Sequence, residues 1–395
     1  MTRYVGTVVR GIRTPIVKSG DELVGIVTDS IKKATEAENI QIRDKDVVAV
    51  TESLVARAQN NYVDIDQIVK DLNSKFDDEI GIVFPILSRN RFSTILRAVA
   101  KTGKKIHILF SYPSDEVGNS LMDPNLLIDK KINPYADVLE ESDYRRIFGP
   151  VVKHQFTGID YVSLYKEICK NNKCEIHFSN NPVTILKYTD EVLICSTHTR
   201  FNIKRILKEA GAKVCLALDD IMTESIDGSG FNEQFGLLGS NYASNSRLKL
   251  FPRNGEEFVN KLQKSLQNIY HKDIEVMIYG DGAFKDPVGK IWELADPVVS
   301  PAHTKGLVGQ PNELKIKYIA DNDLKNMNTE EATKAMKEKI SHKNANLIGT
   351  DETLGTTPRK ITDLLGSLCD LTSGSGDKGT PVILIQGYFD NYASE

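Results

Sequence analysis

Two short polar turns near the N-terminus carry residue types that bind phosphate groups. The first, Gly11-Ile12-Arg13-Thr14, supplies an arginine, a hydroxyl group and a glycine, and the second places Ser53 and Arg57 directly after the apolar run Val47–Val50. Guanidinium, hydroxyl and backbone N–H groups are common ligands of phosphate oxygens. An ordinary strand–loop–helix connection and a solvated helix start are the alternatives for these two turns.

A third turn offers carboxylates that could hold a metal ion. Asp281 lies between two glycines just after the strand-like run ending at Tyr279, and Asp286 follows five residues later. Carboxylate oxygens are the ligands that Mg²⁺ and Mn²⁺ prefer. We therefore expect Asp281 and Asp286 to share a divalent ion, although a Gly-Asp-Gly turn also forms without any ligand.

The fourth turn, Ser373-Gly374-Ser375-Gly376-Asp377-Lys378, is rich in glycine, hydroxyl groups and charge. Residues 374–379 match the spacing G-x-G-x-x-G, but the dinucleotide-binding fingerprint must follow a strand and open a helix. Here a predicted helix precedes the turn and a predicted strand follows it. The turn is therefore interpreted as a nest of backbone N–H groups for phosphate, with an ordinary surface loop as the alternative.

Three arginines are candidates for holding the carboxylates of a substrate, because a guanidinium binds a carboxylate in bidentate fashion. They are Arg89 and Arg91, in the segment Ser88–Phe92, and Arg200, which follows an apolar strand.

The elements that must position these turns alternate between strand and helix patterns over almost the whole chain, which predicts an α/β or mixed α+β architecture. The strand candidates are Tyr4–Val9, Val47–Thr51, Ile80–Val83, Ile106–Phe110, Glu191–Cys195, Lys213–Leu218, Leu248–Phe251, Ile274–Tyr279 and Pro381–Gln386. The helix candidates are Asp21–Ala34, Phe92–Lys101, Tyr161–Lys170, Ile203–Ala210, Glu256–Tyr270, Glu330–Ile340 and Arg359–Leu371. Gly103 and Gly211 stand where a glycine should end a helix.

Composition excludes several classes of protein. The 395 residues carry 50 basic and 54 acidic side chains, which argues against a dedicated nucleic-acid surface. No apolar run approaches the roughly 20 residues of a membrane span, and the five cysteines lack zinc-finger spacing. The P-loop, G-x-S-x-G and H-E-x-x-H motifs do not occur. We expect a cytoplasmic protein that binds small molecules.

Taken in order, the four turns resemble the coenzyme F420 γ-glutamyl ligase family. Lys18-Ser19-Gly20-Asp21-Glu22-Leu23 is similar to the family's segment after its first strand, and Gly280-Asp281-Gly282 to its metal-binding strand end. Gly239–Asn245 is similar to a Gly-x-Asp-x-Ser-Asn segment, with Tyr242 in place of the aspartate. The likeness covers residues 1–110 and 225–390, and residues 111–224 are interpreted as an inserted α/β middle domain. The predicted domains are therefore 1–110, 111–224 and 225–395.

The resemblance implies a γ-glutamyl-ligase-like fold, a homodimer, and an enzyme that uses GTP or ATP with Mg²⁺ or Mn²⁺ to join glutamate to a small acidic acceptor. It implies catalytic roles for Asp281, Asn245 and Arg57, and metal binding by Asn241 together with the two aspartates. Ser244 joins Ser53 and the turns at 11–14 and 373–378 as nucleotide ligands. Two alternatives stay open: a nucleotide-binding regulator without turnover, and a kinase or other phosphotransferase.

Overall fold

The computed structural model describes residues 4–89, 91–154, 157–244, 246–281, 284–286, 291–293, 298–354, 359–373 and 377–394, with backbone alone for 284–286 and 291–293. The chain forms a mixed α/β fold, so the predicted fold class is confirmed. In the described part of the chain, no helix is both long enough and apolar enough to cross a membrane.

The strands are β1 (Val8–Ile12), β2 (Val47–Thr51), β3 (Tyr62–Asp64), β4 (Glu79–Val83), β5 (Lys105–Phe110), β6 (Leu139–Glu140), β7 (Cys174–Phe178), β8 (Glu191–Ile194), β9 (Val214–Ala217), β10 (Asn241–Ser244), β11 (Arg247–Lys249), β12 (Glu275–Tyr279), β13 (Phe284–Asp286), β14 (Ile291–Glu293), β15 (Ala302–His303) and β16 (Val382–Gln386). The helices are α1 (Leu23–Ala37), α2 (Glu52–Ala58), α3 (Ile65–Lys75), α4 (Phe92–Lys101), α5 (Asn125–Asp129), α6 (Glu141–Phe148), α7 (Tyr161–Ile168), α8 (Arg200–Glu209), α9 (Gly255–Tyr270), α10 (Ile316–Asn322), α11 (Thr329–Ser341) and α12 (Ile361–Ser373).

The chain divides into two compact units. The first contains residues 1–55, 254–283 and 298–395, and the second contains residues 56–253 and 284–297. The division at residues 110 and 224 made from the sequence remains a prediction.

The first unit is built on a five-stranded sheet with the order β1-β16-β2-β12-β15. β2 and β12 are parallel, and the other neighbouring pairs are antiparallel. All five residues of β16 and four of the five in β2 are buried, because helices cover both faces of the sheet. α12 packs on β1, β12 and β16, while α9 packs on β12 and α1.

Helix α1 shows how the sequence positions this layer. Leu23, Val27 and Ile31 recur every four residues and are buried, so they form the apolar stripe that faces the core. The Glu22 carboxylate accepts a hydrogen bond of 2.7 Å from Gly25 N and caps the helix. Thr28 Oγ1 lies 3.1 Å from Ser265 Oγ of α9, within hydrogen-bond distance. The helix is thereby fixed in rotation.

The second unit contains a six-stranded sheet with the order β6-β7-β5-β4-β8-β9, parallel except for β6. The parallel strands β4, β5, β7, β8 and β9 appear in the spatial order third, second, first, fourth, fifth, which is the doubly wound arrangement. α3 packs on α4, α4 on α7, and α8 on β8 and β9. A separate sheet, β10-β11-β3, completes the unit together with the β13–β14 hairpin.

Gly239 shows how tightly the second unit is packed. Its φ is +70°, and a Cβ added there would lie 2.3 Å from the Phe251 ring. Gly228 has a similar φ of +75°, but an added Cβ would meet nothing within 4 Å. The two positions therefore separate backbone strain from steric overlap.

We predict that Gly239→Ala lowers the free energy of unfolding by about 1–3 kcal/mol more than Gly228→Ala does. Both substitutions cost the left-handed backbone penalty of roughly 1–2 kcal/mol, but only the first forces the Phe251 ring to move. Urea denaturation of both variants measures the difference. Equal losses would show that the ring moves aside freely.

Candidate active site

Strand directions bring four loops to one edge of the five-stranded sheet. The parallel strands β2 and β12 end there, at Thr51 and Tyr279, which are register partners. β16 is antiparallel to β2 and begins there, with Val382 opposite Val50. β1 is antiparallel to β16 and ends there, with Ile12 opposite Val382. The loops at 13–14, 52–53, 280–281 and 377–381 therefore share this edge.

Direct contacts fasten these loops to one another. Thr51 N donates a hydrogen bond of 3.0 Å to Pro381 O, and Thr380 Oγ1 donates one of 3.0 Å to Ser373 O. An added Cβ at Gly11 would lie 2.8 Å from Thr380 Cβ. Only a glycine at position 11 lets β1 pass this close to the final loop.

An open cleft of about 680 Å³ lies between the loop after β1, the segment before β16 and helix α1. Its lining residues are Gly11, Ile12, Arg13, Pro15, Ser30, Lys33, Ala34, Ala37, Glu38, Thr372, Lys378 and Thr380. Three of them carry positive charge and one carries negative charge. A cleft of this size with a basic lining suits a phosphorylated small molecule.

The cleft contains four of the predicted nucleotide ligands: Gly11, Ile12, Arg13 and Lys378. Thr14 follows directly in the chain and is half-buried. The sequence analysis missed Lys33, because a lysine inside an amphipathic helix looks like an ordinary exposed residue until the helix is placed against the cleft.

The other predicted phosphate ligands in this unit have varied positions. Ser53 is exposed in the first turn of α2, and Ser373 is the last residue of α12. Asp377 is exposed beside Lys378. Gly374, Ser375 and Gly376 lie outside the described residues. Their roles stay predictions.

Two carboxylates follow the neighbouring parallel strands at this edge. Asp281 comes two residues after β12 and is partly exposed, and Glu52 directly follows β2 and is buried. Oxygen donors of this kind fit Mg²⁺ or Mn²⁺. Burial raises the pKa of the Tyr279 phenol, which precedes Asp281 by two residues, so this hydroxyl keeps its proton near neutral pH. The sequence analysis did not select Glu52, although its place after an apolar strand was a usable signal.

The remaining predicted catalytic and metal residues belong to the second unit. Arg57 is exposed in the last turn of α2, and Asn241 and Ser244 are half-buried on β10. Asn241 Oδ1 accepts a hydrogen bond of 3.0 Å from Tyr242 N. Asp286 is the last residue of β13, and its side chain is outside the described part of the structure, as is Asn245.

A small cavity in the second unit lies at the carboxyl edge of the six-stranded sheet, near the point where β4 and β8 adjoin. Such switch points commonly bind ligands. Arg91 and Thr197 line the cavity, and Arg89 is exposed beside it in sequence. The backbone N–H groups of residues 197–199 donate to the Glu116 carboxylate, so this chain supplies an anion to the start of α8.

Arg200 is held by groups within the second unit. Its Nε donates a hydrogen bond of 2.7 Å to Asp219 Oδ2, and its Nη1 donates one of 2.5 Å to Thr197 O. Both side chains of the ion pair are largely buried, at 12% and 14% exposed. This geometry supports a structural role, and substrate binding by Arg200 stays a prediction.

A comparison with known families finds a match to the model described as F420-0:Gamma-glutamyl ligase, over residues 11–387. The match therefore begins at the cleft residue Gly11 and extends just past β16. No curated protein matches the chain.

We predict that Arg200→Ala lowers the free energy of unfolding by roughly 3 kcal/mol, because it leaves the largely buried Asp219 carboxylate without its partner. Arg205→Ala on the same helix is the matched control, since Arg205 and Glu209 form an exposed pair at 61% and 63%. That control should change the free energy of unfolding by about 0.5 kcal/mol or less. Urea denaturation measures both, and similar small losses would contradict the structural role.

Proposed function

The chain belongs to the F420-0:gamma-glutamyl ligase family, and on that premise we propose that it forms a γ-glutamyl amide bond on a small acidic acceptor. The proposed co-substrate is GTP or ATP, with Mg²⁺ or Mn²⁺. The observation that carries this proposal is the shared sheet edge, where a basic cleft and two carboxylates lie on loops of the same sheet.

The basic cleft supports the polyphosphate part of the proposal. Arg13, Lys33 and Lys378 approach it from three separate segments, so their charges can contact different phosphate groups of one ligand. Gly11 adds backbone without a side chain at the same wall. A cleft that supplied only one cation would suit a monophosphate better, because each phosphate group adds negative charge that needs a partner.

The chemistry follows from the inertness of a carboxylate toward amines. In the proposed reaction an oxygen of the acceptor carboxylate attacks the terminal phosphorus of the nucleotide, and the nucleoside diphosphate leaves. The glutamate amine then attacks the acyl carbon, an amide forms, and inorganic phosphate leaves with the former carboxylate oxygen. The cations of the cleft would orient the phosphates for the first step and stabilise the charge that develops on them.

Asp281 and Glu52 are the residues that we propose to hold the metal. A divalent ion at these carboxylates would neutralise charge on the nucleotide phosphates. Arg89 and Arg91 remain proposed ligands of the glutamate carboxylates.

The direct test incubates the purified protein with GTP or ATP, Mg²⁺ or Mn²⁺, glutamate, and a panel of acidic acceptors that includes F420-0. We expect diphosphate release that requires both glutamate and an acceptor, and a product heavier by one glutamyl residue in mass spectrometry. Tight nucleotide binding without turnover would instead identify a regulator. A phosphorylated acceptor that forms no amide when glutamate is present would identify a phosphotransferase.

We predict that Asp281→Asn lowers the turnover number on the order of 100-fold or more, the scale seen when one electrostatic contact to the transition state is lost. The fold should survive, because Asp281 is partly exposed in a loop. Asp321→Asn, an exposed position on α10, is the matched control and should keep full turnover. Full activity in Asp281→Asn, with an unchanged melting temperature, would exclude this aspartate as the metal ligand.

We predict that Lys378→Ala weakens nucleotide binding about tenfold, because a hydrogen bond to a charged group contributes about 1.5–3 kcal/mol. Lys334→Ala, an exposed lysine on α11, controls for the loss of net charge and should leave the affinity unchanged. Titration of fluorescent GTP and ATP analogues measures both variants. Equal affinities would place the nucleotide elsewhere.

A further inference from the structure

One face of the six-stranded sheet gathers two histidines and three glutamates. His107 on β5 is the register partner of Glu175 on β7, and two residues along β7 His177 is the partner of Glu140 on β6. Side chains two residues apart on a strand point to the same face. Both imidazoles are almost fully buried, with 1% and 2% exposed, whereas Glu175 is 42% exposed. The group therefore reaches from the interior to solvent.

Three of these side chains have the spacing of a metal-ligand set. The atoms offered by His107, Glu175 and His177 all lie within 4.8 Å of one another. His107 Nδ1 is 3.1 Å from His177 Nε2 and 3.4 Å from Glu175 Oε2. Ligands of a tetrahedral zinc ion, at about 2.0–2.1 Å from the metal, are about 3.3 Å apart. The two measured distances match this value.

The proton positions on the two rings also indicate a cation between them. His177 Nδ1 lies 2.6 Å from Glu140 Oε2; because the carboxylate accepts, Nδ1 carries the proton and Nε2 has the lone pair. If His107 Nδ1 then donated to that lone pair, His107 Nε2 would be left as an acceptor. This buried Nε2 has no hydrogen-bond partner among the described residues and faces Glu79 Oε2 at 3.8 Å.

A cation bound by His107 Nδ1 and His177 Nε2 removes this conflict. Nε2 of His107 then carries the proton and directs it toward the Glu79 carboxylate. Each imidazole thereby has a carboxylate on its outer side, Glu79 for His107 and Glu140 for His177. Histidine ligands of zinc typically have such an outer carboxylate, which fixes the tautomer and the orientation of the ring.

Neighbouring groups hold the two rings in place. Tyr188 stacks on His177 with a centroid distance of 3.6 Å, and its hydroxyl donates a hydrogen bond of 2.6 Å to Glu140 Oε1. Burial, with Lys105 as a second cause, lowers the pKa of His107 to about 4, so this ring is neutral near pH 7 and has a lone pair to give. Lys105 Nζ is 3.8 Å from Glu79 and 3.9 Å from Glu175, and it is the charge that competes with a cation for Glu175.

We infer that His107, Glu175 and His177 bind a zinc ion on this face of the sheet, with a fourth position open to water. Two imidazoles and one carboxylate are a donor set that zinc favours, whereas Mg²⁺ and Ca²⁺ prefer oxygen ligands alone. The ion would connect β5 to β7. This site is independent of the proposed ligase reaction.

The test begins with the full-length protein stripped of metal by a chelator and then dialysed. Titration with ZnCl₂ against a chromophoric chelator should show one tight site per chain, and zinc should raise the melting temperature because it binds the folded state. Mg²⁺ and Ca²⁺ at the same concentration should leave the melting temperature unchanged. Co²⁺ in place of zinc should give the visible absorption of a four-coordinate ion without thiolate charge transfer, which excludes binding by Cys169 and Cys174.

Two substitutions at partly exposed positions then locate the ion. Glu175→Gln should weaken zinc binding at least about tenfold, and Glu140→Gln, which weakens the outer hydrogen bond of His177, should weaken it about 10–100-fold. Glu167→Gln, at an exposed glutamate paired with Lys170, is the matched control and should bind as the natural chain does. Asp281→Asn should also bind zinc normally.

The inference is overturned if the natural chain binds no stoichiometric zinc. It is equally overturned if Glu175→Gln and Glu140→Gln retain the natural affinity, or if Asp281→Asn abolishes binding. The last outcome would place the ion at the carboxylates of the first unit.

Discussion

The pairing of β16 with both β1 and β2 is the constraint on which the candidate active site depends. Residues 382–386, close to the end of the sequence, form a fully buried strand between two strands from its beginning. This arrangement brings Lys378 to the same cleft as Arg13. A slip of one residue in β16 would turn its buried side chains to the opposite face, so the apolar residues of the strand fix the register.

A buried polar contact reinforces that register. Gln386 Nε2 donates a hydrogen bond of 2.6 Å to Asp46 Oδ2, and Gln386 Oε1 accepts one of 2.7 Å from Arg10 Nη1. Burial raises the pKa of Asp46, so the carboxylate is costly to keep charged and needs these donors. Because Gln386 contacts both neighbouring strands, it would lose both partners if β16 shifted. The opposite end of the sheet thus helps to hold the edge that carries the cleft.

The sequence predicted the elements that obey a simple local rule. β2 and α4 have the predicted bounds, and Gly103 and Gly211 adopt the positive φ expected of a glycine that ends a helix. β1 begins four residues later than predicted. Tyr4 is 94% exposed, and an apolar pattern cannot show where a strand stops having a partner to bond.

The misses share a different cause. β7 was not predicted, because a glutamate and a histidine interrupt its apolar pattern, and these are two of the residues assigned to zinc. Polar residues in a buried strand weaken the periodic signal that identifies the strand. Lys33 and Glu52 were missed because their value depends on which loop lies opposite, and that information resides in strand order rather than in local sequence.

The two donor sets suit different metals. The first unit offers carboxylates on loops beside a basic cleft, and oxygen ligands of this kind suit a hard ion that arrives with a nucleotide. The second unit offers two neutral imidazoles whose tautomers are set by outer carboxylates, and nitrogen ligands favour zinc over magnesium. A magnesium-rich solution would therefore leave the histidines to zinc. Because the histidines are held by neighbouring strands, whereas Asp281 and Glu52 flank loops, the first ion could be released with product while the second stays bound.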